Sequence, residues 1–106
     1  MRPRCQQSLD CNRTEICGTI TEIGSLRYSP AGVAVIEFKI RHVSRRVEAG
    51  KPRQVECEVS AVALAQLAET VASLAPEAAV KLTGFLAKKS RMSLQLVLHV
   101  NRIDPI

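Results

Sequence analysis

Residues 54–87, QVECEVSAVALAQLAETVASLAPEAAVKLTGFLA, decide the fold. At their start Val55, Cys57 and Val59 alternate with Gln54, Glu56 and Glu58, the period of a half-buried strand. From Ser60 the pattern changes. Val62 or Leu64, then Leu67, Val71 and Leu74, recur at helical spacing among many alanines, which favour helix. Ser60 is the expected N-cap of a helix over Ser60–Leu74, and Pro76 marks its end. Alternation returns over Val80–Ala87, with Val80, Leu82 and Leu86 on one parity and Lys81 and Thr83 on the other. The stretch thus reads as strand, full helix, strand.

Upstream, Asn12–Ile23 is a first strand whose Ile16, Gly18 and Ile20 share a parity; Gly18 predicts a bulge or sharp coil that lets one strand serve two sheets. Arg27–Gly32 is a turn, because Pro30 fixes φ and Gly32 permits positive φ. Val33–Val43 alternates cleanly, with Ala34, Ile36, Phe38 and Ile40 inward and Glu37, Lys39 and Arg41 outward. Ser44–Pro52 is a polar, charged connection, so that this strand and Gln54–Val59 form a hairpin with a long basic loop. Downstream, Lys88–Ser93 is a second basic loop and Leu94–Ile103 a fifth strand, with Leu94, Leu96, Leu98 and Val100 on one parity. The order β-β-β-α-β-β predicts an all-β fold, a five-stranded OB-fold barrel with one helix between strands three and four. An α+β sheet with one helix on a face and an SH3-like barrel compete; the full helix argues against the latter. Residues 1–11, polar and aperiodic with Pro3, read as a flexible head, and residues 12–106 as the OB-fold nucleic-acid-binding domain.

The 106 residues carry a net charge of +5, concentrated in two places. Lys39, Arg41, Arg45, Arg46, Lys51 and Arg53 fall in the middle segment, against Glu48 within it; Lys88, Lys89 and Arg91 fall near the C-terminus. On an OB-fold, strands two and three form the binding face, flanked by the loops joining strands one to two and four to five. The two clusters and Arg27 would then converge on one face, as a polyanion such as nucleic acid requires. Ordinary solvated loops have the same composition. Aromatics are scarce: Tyr28 at the turn is the expected exposed one, Phe38 reads as core, Phe85 as ambiguous, and Trp is absent. Binding would therefore be mainly electrostatic, through phosphates.

Other chemistries find little support. Glu37, Glu48, Glu56 and Glu58 alternate with basic residues and form no carboxylate cluster of the kind a metal-dependent nuclease uses, so no catalytic site is expected. Cys5, Cys11 and Cys17, each six residues after the last, match no zinc spacing; Cys17 and Cys57 read as small core residues, and His42 and His99 as structural or surface residues. Neither metal nor cofactor is expected. No apolar run is long enough to span a membrane, and the N-terminus lacks the apolar core of a secretory signal, which predicts a cytoplasmic protein with reduced thiols.

Four motifs, in order, carry a resemblance. Asn12-Arg13-Thr14-Glu15-Ile16-Cys17-Gly18-Thr19-Ile20 resembles the N-R-x-x-[hydrophobic]-x-G-x-[hydrophobic] opening of the primosomal replication protein N (PriB) family. Ser29-Pro30-Ala31-Gly32 is similar to its S-P-x-G turn, Gly84-Phe85-Leu86 to its G-F-[hydrophobic], and Leu98-His99-Val100 with Ile103 to its last strand. The single-stranded-DNA-binding proteins share the opening motif. The resemblance implies an OB-fold homodimer without enzymatic activity that binds single-stranded DNA and, with other primosome proteins, helps the PriA helicase reload the replisome at stalled forks. It carries over Arg27, Lys88, Lys89 and Arg91 as DNA contacts; charge alone adds Lys39, Arg41, Arg45, Arg46, Lys51 and Arg53, and exposure adds Tyr28. Family members carry aromatics in and after the loop between strands two and three. Lys51 and Glu56 fall at those positions here, so phosphate contacts must carry more of the binding. The alternative is a protein-interaction module whose basic face meets an acidic partner.

Overall fold

The computed structural model describes residues 9–106, so most of the expected N-terminal head, with Cys5, lies outside the described residues. Six strands and a helix follow one another: β1 (Thr14–Ile23), β2 (Arg27–Tyr28), β3 (Ala34–Glu48), β4 (Lys51–Leu64), α1 (Gln66–Ala72), β5 (Ala79–Lys88) and β6 (Leu96–Pro105). The five long strands are joined in the order β1-β5-β6-β4-β3, and β1 also pairs with β3, closing the barrel; β2 is a two-residue strand on the edge of β3.

Closure depends on β1 serving two partners. Thr14–Thr19 pair with β5, and Thr19–Ile23 with β3. The irregularity in the β1–β3 register lies between Ile20 and Glu22, beyond the expected position at Gly18. Gly18 answers a different need, since a Cβ there would sit 2.7 Å from the carbonyl oxygen of Arg41. The alternation of β3 is as expected: Ala34, Ile36, Phe38 and Ile40 are buried. They meet Ile20, Val80, Leu82, Leu98 and Val100 in one core. Complete burial of a side chain such as Ile36 or Leu98 stabilises by about 1.5–3 kcal/mol.

Three expectations are corrected. The helix is short, Gln66–Ala72, and Ser60 is not its N-cap: Ser60 pairs with Lys39 inside β4, and Ala65, at φ 57°, precedes the helix without a side-chain cap. In Ala61-Val62-Ala63-Leu64-Ala65 every residue is apolar, so neither period can be read from it. Pairing decides instead, with Ala61 and Ala63 buried and Ala61 matched to Leu98 of β6. Helix α1 then packs against β3, β4 and β6 through buried Ala68 and Val71.

Second, Ser44–Pro52 is not a loop. β3 and β4 run on in continuous register from Val35–Leu64 to Glu48–Lys51, closed by the two-residue turn Ala49-Gly50. Both turn residues have positive φ, 52° and 77°, as such hairpin turns require. Beyond Arg41 on one strand and Ala61 on the other, β3 and β4 pair only with each other, and the hairpin leaves the barrel as an arm. Third, Cys17 and Cys57 are exposed rather than core residues. Cys57 lies opposite His42 on the arm, past the core. Cys17 alternates outward on β1.

The last strand begins two residues later than expected. Lys89 N–H donates to the Gln95 carbonyl (2.8 Å), holding residues 90–94 as a closed loop that leaves Leu94 outside the barrel. Leu86 is part-exposed although it shares parity with buried Val80 and Leu82, because it lies past the end of β1, where Asn12 takes over the pairing.

Candidate nucleic-acid interface

An open groove of about 620 Å³ crosses β3, β4 and β6 on the outside of the barrel. Gly24, Ser25 and Arg27 of the β1–β2 region border it on one side, and Lys89 and Gln95 of the β5–β6 loop on another; Glu37, Lys39, Ser60, Val62 and His99 lie along it. This is the face where an OB-fold takes its ligand. Of the expected contacts, Arg27, Lys39 and Lys89 therefore share one groove.

The arm distributes the others differently from the single basic face expected. Residues opposite each other in an antiparallel pair share a face. Lys39, Arg41 and Arg45 lie on one face with Gln54, Glu56 and Glu58, whereas Arg46, Lys51 and Arg53 lie on the other with Glu48. Register also brings an acid to several cations. Arg27 pairs with Glu37 (2.7 Å), Lys39 with Glu58 (3.9 Å), Arg53 with Glu48 (2.5 Å) and Arg41 with Glu56. Exposed pairs of this kind contribute at most about 1 kcal/mol, so a phosphate can displace the carboxylate. Among the described residues, Arg45, Arg46, Lys51, Lys88, Lys89 and Arg91 have no carboxylate within pairing distance. Lys88 Nζ donates to the Arg91 carbonyl across the β5–β6 loop (3.4 Å). Tyr28 is 65% exposed, as expected.

His42 secures the root of the arm. Its Nδ1 lies 2.7 Å from the Cys17 carbonyl oxygen and its Nε2 2.8 Å from Ser44 Oγ. A carbonyl only accepts, so Nδ1 carries the proton and ties β3 to β1. Two residues before Cys17 on β1, the Arg13 guanidinium bonded to Glu15, helped by nearby Lys81, holds the Glu15 carboxyl below the ordinary carboxylate range. Among the described residues, no three His, Cys, Asp or Glu side chains cluster as a metal site needs, and no helix is long and apolar enough to cross a membrane.

A family model described as another single-strand binding protein family matches residues 12–102. The replication restart protein PriB of Nitrosomonas europaea is 46% identical over 98 residues, spanning 92% of this chain and 91% of its own. The chain belongs to the PriB family. PriB of Bordetella pertussis is 37% identical over 86% of this chain and 85% of its own. The crystallised PriB of Ralstonia solanacearum superposes with a TM-score of 0.82 at 29% identity, covering 90% of this chain and 97% of that one. The single-stranded DNA binding protein of Thermus aquaticus shares the OB-fold (TM-score 0.73, 21% identity, 91% of this chain and 50% of that one).

The PriB-like motifs have a structural basis here. Asn12, from the opening motif, donates from Nδ2 to the Leu86 carbonyl (2.9 Å) and accepts the Leu86 N–H on Oδ1 (3.0 Å), joining that motif to Gly84-Phe85-Leu86. Gly84 allows β5 to lie against β6, since any Cβ there would collide with the His99 carbonyl. The reading from sequence missed His99 and Gln95 as groove residues. Their only signal was an outward position on or beside the last strand, which gains meaning once the β4–β6 pairing is known.

Proposed function

We propose that this chain binds single-stranded DNA along the groove and the arm, as a non-enzymatic accessory protein of replication restart. The observation that carries this reading is the groove itself, bordered by Arg27, Lys39 and Lys89, with Arg45, Arg46 and Lys51, which have no carboxylate partner among the described residues, on the adjoining arm, Lys88 at the end of β5 and Arg91 in the loop beyond. The named PriB relatives support the context of replication restart; assistance to the PriA helicase, with the other primosome proteins, is part of this proposal. The chain acts in the cytoplasm as a homodimer, which covers the outer edges that β3 and β4 leave unpaired along the arm. Because phosphate contacts dominate, binding weakens steeply with salt and varies little with base sequence. Fluorescence anisotropy of a labelled oligonucleotide over a salt series tests this. Neutralising Lys88, Lys89 and Arg91 together lowers affinity several-fold and flattens the slope by about 0.7 per lost phosphate contact. An unchanged slope rejects the assignment of those residues.

One observation favours the second reading, a face for an acidic protein partner. Met92 and Leu94 in the basic β5–β6 loop are 95% and 92% exposed, and apolar side chains at a loop tip suit a protein surface better than phosphates. Failure to bind any oligonucleotide at low salt selects this reading.

A further inference from the structure

A row of side chains runs across the outer face of the barrel at one level. Glu37 of β3 lies opposite Val62 of β4, Val62 beside His99 of β6, and His99 opposite Phe85 of β5. The last two rings are stacked, with centroids 5.1 Å apart and planes inclined by 6°. Phe85 thus covers one face of the imidazole. The neighbour on the opposite side is Val62, and both His99 and Val62 line the groove while Phe85 does not.

We propose that His99, backed by Phe85, is a stacking platform for a single nucleobase seated over Val62. This rests on the reading of the groove as a single-stranded DNA site and adds how a base is held there. The floor of the slot is apolar, one wall is the free imidazole face, and the Arg27–Glu37 ion pair stands across from it. Over Val62 itself a phosphate finds no donor and faces Glu37, whereas the cations Arg27, Lys39 and Lys89 lie around that position. A base has no charge to repel, and its π-face continues the Phe85–His99 stack. The sugar–phosphate chain is then left to the rim, where Lys89 and the arm cations lie. Such stacking is indifferent to base identity, because every base has a π-face. It also supplies an aromatic contact that this chain lacks at Lys51 and Glu56.

The test compares a labelled oligothymidylate with an oligonucleotide of equal length and charge in which abasic sites replace the bases. The wild-type chain is expected to bind the base-bearing strand about five- to tenfold more tightly, the lower part of the range for one stacked base, since imidazole is a small ring. His99→Leu keeps the apolar volume and removes the ring. It should erase that gap while leaving abasic binding and the salt slope unchanged. His99→Phe should restore the gap. Equal wild-type binding to both strands with a steep salt slope overturns the platform and leaves the DNA-binding reading standing. Binding of neither strand overturns both. A gap that survives in His99→Leu rejects His99 as its source. If His99→Leu does not melt cooperatively, His99→Gln decides: it keeps a polar side chain but no aromatic face, so the gap must vanish, and a gap that survives rejects the platform.

Discussion

Asn12 stands in for a strand residue that the chain does not have. Its amide offers Leu86 one donor and one acceptor, as a backbone partner would. Asn12→Asp keeps the acceptor and sets a carboxylate against the Leu86 carbonyl, so it should destabilise more than Asn12→Ala, which costs about 1 kcal/mol because water reaches the freed groups. Urea unfolding midpoints measure both. The acids of the arm matter in the opposite sense. Glu56→Gln with Glu58→Gln frees Arg41 and Lys39 without moving the backbone, and should tighten oligonucleotide binding several-fold and steepen its salt dependence. The same anisotropy series reads this out. That these glutamates neutralise these cations was not legible in the sequence. The pairs are diagonal across β3 and β4, and which residues become diagonal neighbours depends on the turn at Ala49-Gly50.

At the scale of elements, the arm and the helix show what local patterns can and cannot specify. The inward residues of β3, Ala34 to Ile40, were legible because each is flanked by polar or charged neighbours or by valine at the edge. Ser44–Pro52 was not, because a ribbon that leaves the core has no apolar parity to display and reads as a loop. The helix start was hidden by a run of small apolar residues that suit either period, until pairing with Val35 and Leu98 claimed Ala61 to Leu64 for β4. Ala49 carries a positive φ that alanine adopts reluctantly. Ala49→Gly should therefore relieve the turn and, by about 1 kcal/mol or less, strengthen the tip of the hairpin. Gly50→Val should fray it. Hydrogen exchange of arm amides should shift in opposite directions in the two variants, with the global melting temperature nearly constant because no core residue is touched.

For the whole molecule, the barrel and its groove set what the surface can do. The five-stranded order was readable from the succession of periods. The candidate site was readable only as composition: the sequence supplied its cations, while the barrel brought Arg27, Lys39 and Lys89 together with His99. A homodimer is expected in solution, and sedimentation at micromolar concentration should give twice the chain mass; a monomer at that concentration rejects it.

The two-residue turn also has a kinetic consequence. It lets the hairpin extend beyond the barrel by roughly 20 Å, about seven residues of strand on each side. That reach exceeds twice the Debye length at physiological ionic strength, ~8 Å, so the tip samples solution beyond the screened field of the barrel. Arg45, Arg46 and Lys51 would therefore be the first groups to meet an approaching polyanion, acting as a capture radius. Neutralising them should slow association, most visibly at low salt, whereas changes in the groove should shorten the lifetime of the complex. Stopped-flow mixing separates the two, because the arm governs encounter and the groove governs escape.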